Sequence, residues 1–336
     1  MPIPAKPVHV PDSGIPPGGD YVPIRWPRTF MTWTGANLDI IPLTGDLSCT
    51  AGSAGIGIPS GPAGLGMPTF DLKADQLPNM DGGLFKSVRA TTRDITIPVV
   101  IRGVDRISAI KLHNRLLGAL NPNIGPGWIT VSEGDGIARH IECYYLSGGE
   151  GSETRDNAGF TWIKYALVFR AMDPYWYSNA ERQYDWTLTQ ESSTPFLSSS
   201  AYPSFFPMRI SAASFQPDGT VEVVNDSSVE SWPVWSCVGP ATGLILENRT
   251  TGKSFKMRDA FTVPSEDTMT VDTNPGVKTV TLKSSGTNLW PEMKADSALW
   301  SLHPGKNVLK VTAVDVSINT LIRLHFVPRY LSYIGG

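Results

Sequence analysis

The sequence is poor in charge and in long hydrophobic runs. Charged residues make up 18% of its 336 residues, and 28 basic side chains nearly balance 31 acidic ones. That balance lacks the basic excess of nucleic-acid-binding domains, so we expect no nucleic-acid partner. No apolar run of about 18 residues occurs, and residues 1–25 lack the hydrophobic region of a secretory signal. We therefore expect no membrane segment, and synthesis and assembly in the cytoplasm.

Cysteine is also scarce. The three cysteines, Cys49, Cys143 and Cys237, are odd in number and far apart, and none forms a Cys-x-x-Cys pair. This spacing argues against a disulfide framework and against a cysteine-based zinc site. We predict three buried free thiols, because free cysteine packs as a small apolar side chain.

Catalytic motifs are missing as well. The glycine-rich segment 52–66 lacks the Gly-Lys-Ser/Thr ending of a phosphate loop, which favours a surface or interface loop. His140 and Glu142 resemble half of a zinc deaminase signature whose Pro-Cys-x-x-Cys partner is absent. Glu133 and Asp135 form an acidic pair in a turn, which favours a hairpin cap. A cell-wall hydrolase would depend on these acids and His140 alone, so we predict no enzyme, no catalytic residue, no cofactor and no metal.

Turn-forming residues are abundant, with 32 glycines and 28 prolines. They favour many short strands joined by turns. At about 150 residues per domain, the length predicts two domains. We divide the chain into an extended proline-rich arm (1–25), an N-terminal β domain (26–189), a linker (190–206) and a C-terminal β-sandwich (207–336). The composition of 51–68 predicts a flexible loop unless a partner orders it.

One helix interrupts the strands of the first half. We predict it over Arg106–Leu120, because Asp105 can accept hydrogen bonds from the first turn and Asn121-Pro122 ends the helical pattern. Its apolar stripe comprises Ile107, Ile110, Leu116, Leu117 and Leu120. The strand Asp94–Ile101 precedes it, and Pro98 predicts an edge position or a bulge there.

The other strand candidates come from β-branched and aromatic residues bounded by turn signals. In the first half they are Trp128–Val131, Ile137–Leu146 and Thr161–Phe169. In the second half they are Met208–Ala212, Thr220–Val224, Pro233–Val238, Leu244–Asn248, Ser254–Met257, Thr268–Asp272, Lys278–Leu282, Ala298–Leu302, Val308–Ala313 and Leu321–Val327. The fold class is therefore all-β, or mainly β with one α-helix.

Trp232 and Trp235 are the candidate ligand-contacting residues. Exposed aromatic rings can stack on sugars, so a carbohydrate-binding module for attachment to a host surface is one hypothesis. Tryptophans three positions apart in a strand region also fit one ring in the core and one at its rim, and the sequence leaves both readings open.

Several stretches, taken in order, resemble one known family. They are residues 93–99, 121–127, 139–146, 171–176 (AMDPYW), 232–235 (WPVW), 239–242, 248–252 (NRTTG) and 271–276. Together they resemble the distal tail proteins of long-tailed, non-contractile phages, in the form found in phages of actinobacteria. The arm and the loop 51–68 have no match in this pattern.

The resemblance implies a fold and a role. The N-terminal domain would be a split β-barrel or sandwich whose copies close into a ring, usually a hexamer. The C-terminal domain would be a galectin-like β-sandwich, without the sugar-binding His-x-Asn-x-Arg pattern of galectins. The ring would join the tail tube protein to the tail-tip hub in the virion. Tape measure and receptor-binding proteins are further expected partners.

Overall fold

The computed structural model describes residues 30–44, 54–76, 81–132, 137–151, 157–187, 219–317 and 319–334. Within them the chain is mostly β, with one α-helix and a short 3₁₀ turn at Trp290–Glu292, so the predicted fold class is confirmed. The predicted arm and linker lie outside the described residues. So do Cys49, Glu133, Asp135 and the strand predicted at 208–212.

The N-terminal unit is built on a nine-stranded antiparallel sheet that forms a nearly closed barrel. Its strands are β1 (Phe30–Thr34), β2 (Ile40–Pro42), β3 (Gly55–Gly57), β6 (Arg93–Arg102), β7 (Gly127–Ser132), β8 (Ala138–Ser147), β9 (Trp162–Ala171), β10 (Trp176–Ser178) and β21 (Arg329–Tyr330). The order is β2-β1-β7-β8-β9-β6-β3, and β10 pairs with both β8 and β21. A separate hairpin, β4 (Phe70–Asp75) and β5 (Leu84–Ala90), is attached to this unit.

Strand β6 shows how the sequence places this core. Its side chains alternate in burial, and its odd-numbered aliphatic residues from Ile95 to Ile101 are fully buried. Such alternation puts successive side chains on opposite faces of a sheet. On one side of β6, Pro98 lies opposite Ala166 of β9. On the other side, β3 pairs with residues 100–102 and Ala63 pairs with Thr96, so Pro98 lies between these two pairings. The predicted strand is confirmed, and Pro98 lies where the pairing of β6 with residues 55–63 is interrupted.

The helix α1 spans Arg106–Leu120, as predicted. The Ser108 amide donates to Asp105 Oδ1 at 2.7 Å, and the Asp105 amide donates to Ser108 Oγ at 3.0 Å. This reciprocal cap fixes the start of the helix. The predicted single apolar stripe is wrong in part. Leu116 and Leu120 are buried, together with two alanines, whereas Ile107, Ile110 and Leu117 are exposed.

The C-terminal unit is a β-sandwich of two five-stranded antiparallel sheets. One sheet contains β11 (Arg182–Thr187), β13 (Val234–Val238), β17 (Thr268–Asp272), β18 (Thr279–Leu282) and β20 (Leu321–Phe326). The other contains β12 (Thr220–Asn225), β14 (Ala241–Asn248), β15 (Lys253–Lys256), β16 (Thr262–Val263) and β19 (Gly305–Val314). Residues of both sheets share one buried core, as expected of face-to-face packing.

Most of the predicted strands are present in this unit, but the one at Ala298–Leu302 is wrong. Its backbone makes isolated bonds, in which the Ala298 amide donates to Ser254 and Leu302 bridges Ser231. Trp300 is buried in the core from this irregular segment, and its indole N–H donates to the Leu246 carbonyl. The apolar residues of this segment therefore fill the core, although the segment forms no continuous β-strand pairing.

Two strands, β11 and β21, cross between the units. β11 lies before the predicted boundary at 189 but pairs along its length with β20 of the sandwich. β21 lies at the far end of the chain but pairs with β10 in the N-terminal sheet. Strand pairing over long sequence separations thus joins β11 to the sandwich and β21 to the N-terminal sheet.

The two described cysteines give a first testable consequence. Cys143 and Cys237 are buried, as predicted. Burial raises the pKa of the Cys143 thiol, and it raises the pKa of the Cys237 thiol to about 12. Because the thiolate is the reactive form, neither should react at pH 8 in the native protein. In a Cys49→Ser variant, we expect no rapid reaction with Ellman's reagent before unfolding and two thiols after it. Rapid native reaction of either cysteine would contradict this burial.

Candidate assembly and binding surfaces

The hairpin formed by β4 and β5 has an uncovered apolar face. Cross-strand pairs place Phe70 opposite Ala90, Leu72 opposite Val88 and Ala74 opposite Phe85. Residues that pair directly project on the same side of a sheet. On that side Leu72 is 67% exposed and Phe85 65% exposed. No other described residues bury this face.

The opposite face of the hairpin is mostly polar, with Leu84, opposite Asp75, as its apolar residue. Asp71 pairs with Arg89, Lys73 pairs with Ser87, and Lys86 lies 2.6 Å from Asp75. The hairpin is therefore amphipathic, as a ribbon is when one face packs against something and the other faces water. A lone two-stranded ribbon is only marginally stable in water, so an uncovered apolar face indicates a partner.

Our sequence reasoning missed this hairpin. Its signals are the alternation of Phe70, Leu72 and Ala74 with charged residues, and the turn-forming Gly82-Gly83 pair before β5. At the base, the Thr91 amide donates to the Thr69 carbonyl at 2.9 Å. These contacts set the hairpin directly before the start of β6.

The glycine-rich segment before the hairpin is fixed to the sheet over its described part, 54–68. The buried Arg93 donates to the carbonyls of Gly64, Leu65 and Gly66, the last at 2.6 Å. Gly64 has φ of +84°, and a Cβ there would lie 2.2 Å from the Asp94 carbonyl. Glycine thus allows this backbone to lie against β6. The chain's own sheet is thus the partner that holds this segment.

A second apolar surface lies on the helix. Ile107, Ile110 and Leu117 fall within roughly 80° of arc at 100° per residue, on a side turned away from the core. Val104 before the helix and Phe160 beside its first turn extend the apolar surface and are 58% and 78% exposed. Arg106 reaches the Phe160 carbonyl, which holds the two segments together. We call these five residues the helix stripe.

Two buried arginines anchor the last described residues to the N-terminal sheet. Arg93 donates to the Leu331 carbonyl at 2.8 Å. Arg139 donates to the carbonyls of Ser332 and Ile334, and its guanidinium lies 3.6 Å above the Tyr330 ring. Burial lowers the pKa of Arg93 to about 10, so it stays charged at neutral pH. These contacts fix the chain's return from the sandwich onto the barrel.

Arg329 joins the two units next to this anchor. Its guanidinium pairs with Asp173 at 3.1 Å and donates to the Glu230 carbonyl at 3.2 Å. It also lies over the rings of Tyr175 and Tyr177. Asp173 and the tyrosines follow β9 in the barrel, whereas Glu230 precedes the sandwich strand β13. One side chain thus bridges both units.

The anchor predicts a local effect of mutation. Arg139→Met should release the 331–334 segment, because hydrogen bonds from a charged donor contribute about 1.5–3 kcal/mol each. We expect a loss of about 2–4 kcal/mol in unfolding free energy and faster amide exchange at 330–334, measured by hydrogen exchange. Arg258→Met is the control, because Arg258 is exposed and its nearest acidic partner is 3.8 Å away. Unchanged exchange in the Arg139 variant would contradict the anchoring role.

The candidate glycan contacts lie in different environments. Trp232 is half-buried and lines a groove of about 210 Å³ between the two units. The groove is lined by Tyr177, Glu181, Trp232, Val234, Asp272, Asn274, His325, Phe326, Val327 and Arg329. His325 Nε2 lies 3.6 Å from Glu181 at its edge. The groove therefore combines aromatic surface with hydrogen-bonding groups.

Trp235 occupies the sandwich core. It is 2% exposed, and its ring lies against Trp186 and Trp300 at centroid distances of 5.3 and 5.7 Å. A sugar has no access to a ring enclosed in this way, so the sugar-contacting role of Trp235 is corrected to a core role. The reading of one tryptophan in the core and one at the rim matches the structure.

The remaining candidates for a catalytic or metal site, His140 and Glu142, lie among ordinary strand residues. His140 lies 2.6 Å from Asn179 Oδ1 and stacks on Tyr177, while Glu142 is exposed on the same strand. Among the described residues, no three His, Cys, Asp or Glu side chains are grouped to hold a metal ion. None of the helices in this part of the chain is long and apolar enough to cross a membrane.

The arrangement of barrel, helix and sandwich has a counterpart among solved structures. The SPP1 Dit (gp 19.1) protein, described as a paradigm of the hub adsorption apparatus in Gram-positive infecting phages, aligns with a TM-score of 0.61. The alignment covers 90% of this chain and 99% of that chain at 15% sequence identity. The two chains share a fold. The fold expected from the resemblance to distal tail proteins is thus confirmed.

Other comparisons add little. Two structures of the phage P2 baseplate in its activated conformation, with Ca and with Sr, align at a TM-score of 0.48 and 9% identity. They cover 88% and 89% of this chain and 97% and 98% of theirs. No protein-family model and no curated protein matches the sequence.

Proposed function

We propose that this protein is a structural subunit of a phage tail, a distal tail protein whose copies close into a ring at the tail tip. The observation that carries the proposal is the exposed apolar face of the hairpin, centred on Leu72 and Phe85, which nothing in one described copy covers. The shared fold with the SPP1 hub protein supports the same role. In this role the chain has no catalytic task.

In such a ring, the two units would have different roles. The N-terminal unit would form the ring, for which we propose six copies, between the tail tube protein and the tail-tip hub. The sandwich would face outward, fixed by Arg139 and Arg329. Its partners there would include receptor-binding proteins, with the tape measure protein inside the channel. The site of action would be the virion, after assembly in the host cytoplasm.

Mass and shape test this proposal directly. We expect the full-length protein to form a closed, concentration-dependent oligomer by light scattering and a ring with an open centre by negative-stain electron microscopy. Antibodies against the protein should label the tail tip of the virion that carries it. A strict monomer at high concentration together with unlabelled tail tips would overturn the proposal.

A second function is favoured by the groove at Trp232. Aromatic surface beside Asp272, Asn274 and His325 suits the hydroxyl groups and ring faces of a neutral carbohydrate. A sandwich fold does not by itself confer sugar binding, so this hypothesis depends on the residues of the groove. The test is binding to purified cell-wall polysaccharide of an actinobacterium, compared with Trp232→Ala. Equal binding of both proteins would remove the groove as a glycan site.

A further inference from the structure

The N-terminal unit carries two exposed apolar surfaces. One is the face of a two-stranded ribbon, and the other is the side of a helix. We propose that the hairpin face of one copy packs on the helix stripe of the next copy, which makes the subunit contact head-to-tail. This inference rests on the proposed ring and names the two surfaces that form it.

Among the described residues, nothing covers either surface in a single copy. Leu72 and Phe85 on the hairpin and Ile107 and Phe160 on the helix side are all more than half exposed. The two surfaces therefore do not cover each other within one chain. A contact between the hairpin face and the helix stripe would therefore have to form between two copies.

Strand β6 separates the two surfaces. The hairpin base at Thr91 directly precedes Arg93, whereas the helix begins just beyond Arg102 at the other end of the strand. Ten residues of strand span about 30 Å. A contact between two different surfaces of a subunit is heterologous, and heterologous contacts close into rings when the rotation permits.

The areas match as well. At about 150–200 Å² for a fully exposed large apolar side chain, the exposed fractions give roughly 400 Å² on the hairpin and roughly 500 Å² on the helix stripe. A stable interface covers about 800 Å² on each partner. The apolar patches would supply about half of that area on each partner, and polar rims would supply the rest.

The obvious competitor is a symmetric contact in which two hairpins pack face to face. That arrangement would be isologous and would produce dimers. It would also leave the helix stripe uncovered. The two arrangements differ in which residues become neighbours, so cross-linking separates them.

The experiment uses full-length protein in a Cys49→Ser background. Leu72, Phe85 or Val88 is replaced by cysteine in one batch, and Ile107, Ile110 or Leu117 in another. The batches are mixed in each combination, treated with a short bismaleimide and analysed by denaturing gel and mass spectrometry. Val277→Cys, at an exposed position in a turn of the sandwich, is the matched control for the helix batch.

We expect a cross-linked dimer in at least one hairpin–helix mixture, at tenfold or greater yield over the Val277 control. A variant with both cysteines should give a ladder that ends at the ring mass. Efficient cross-linking within a single hairpin batch would overturn the head-to-tail contact. Rings without any hairpin–helix product would overturn this inference alone, and a monomer at every concentration would overturn the ring as well.

Discussion

Replacing both Leu72 and Phe85 by aspartate should convert the oligomer into a monomer. Both side chains are about two-thirds exposed in one copy, so the change adds no buried charge to the fold itself. Within an interface, each would lose about 1.5–3 kcal/mol of apolar burial. At about 1.4 kcal/mol per tenfold in affinity, self-association should weaken at least 100-fold per contact.

Light scattering across a concentration series measures this change, and circular dichroism checks that the fold is kept. Val277→Asp is the control, because Val277 is similarly exposed but lies in the sandwich. It should leave the oligomer unchanged. An intact ring in the Leu72/Phe85 variant, or equal dissociation in the Val277 variant, would show that the hairpin is not the assembly surface.

Trp235→Ala should strongly destabilise the sandwich. The ring is almost fully enclosed between Trp186 and Trp300, and removing a buried tryptophan costs about 3–5 kcal/mol. Trp235→Phe should cost much less, because it keeps most of the packing and removes an indole N–H that has no hydrogen-bond partner. Trp232→Ala, at the rim, should cost about 1 kcal/mol.

Denaturant unfolding followed by tryptophan fluorescence measures all three variants. The expected ranking of destabilisation is Trp235→Ala, then Trp235→Phe and Trp232→Ala with smaller losses. If Trp232→Ala destabilised the protein as much as Trp235→Ala, both rings would be structural and the groove would lose its main candidate contact. The comparison thus separates a core role from a ligand-binding role for neighbouring tryptophans.

Local patterns explain what was predictable. The helix limits followed from Asp105 and Asn121-Pro122, because capping and proline act on the nearest turn. The strand at β6 and most strands of the sandwich followed from β-branched residues between turn signals. The hairpin was missed, although its alternation is equally local, because its first strand, β4, carries as many charged as apolar residues.

The candidate sites were less predictable. Trp232 and Trp235 look alike in the sequence, since both belong to one short aromatic segment. Their difference depends on which strand face meets Trp186 and Trp300, residues brought close by long-range pairing. The role of Arg139 was invisible for the same reason, because its acceptors lie almost 200 positions away.

The sequence by itself determined the β class, the helix from 106 to 120, the burial of Cys143 and Cys237 and the position of most strands. These depend on local conformational preference and on hydrophobic alternation. Tertiary structure alone decided which side of the helix stays exposed, how 54–68 lies on β6, and how β11 and β21 cross between units. Those outcomes depend on pairing and packing between distant segments, whose partners a linear pattern does not specify.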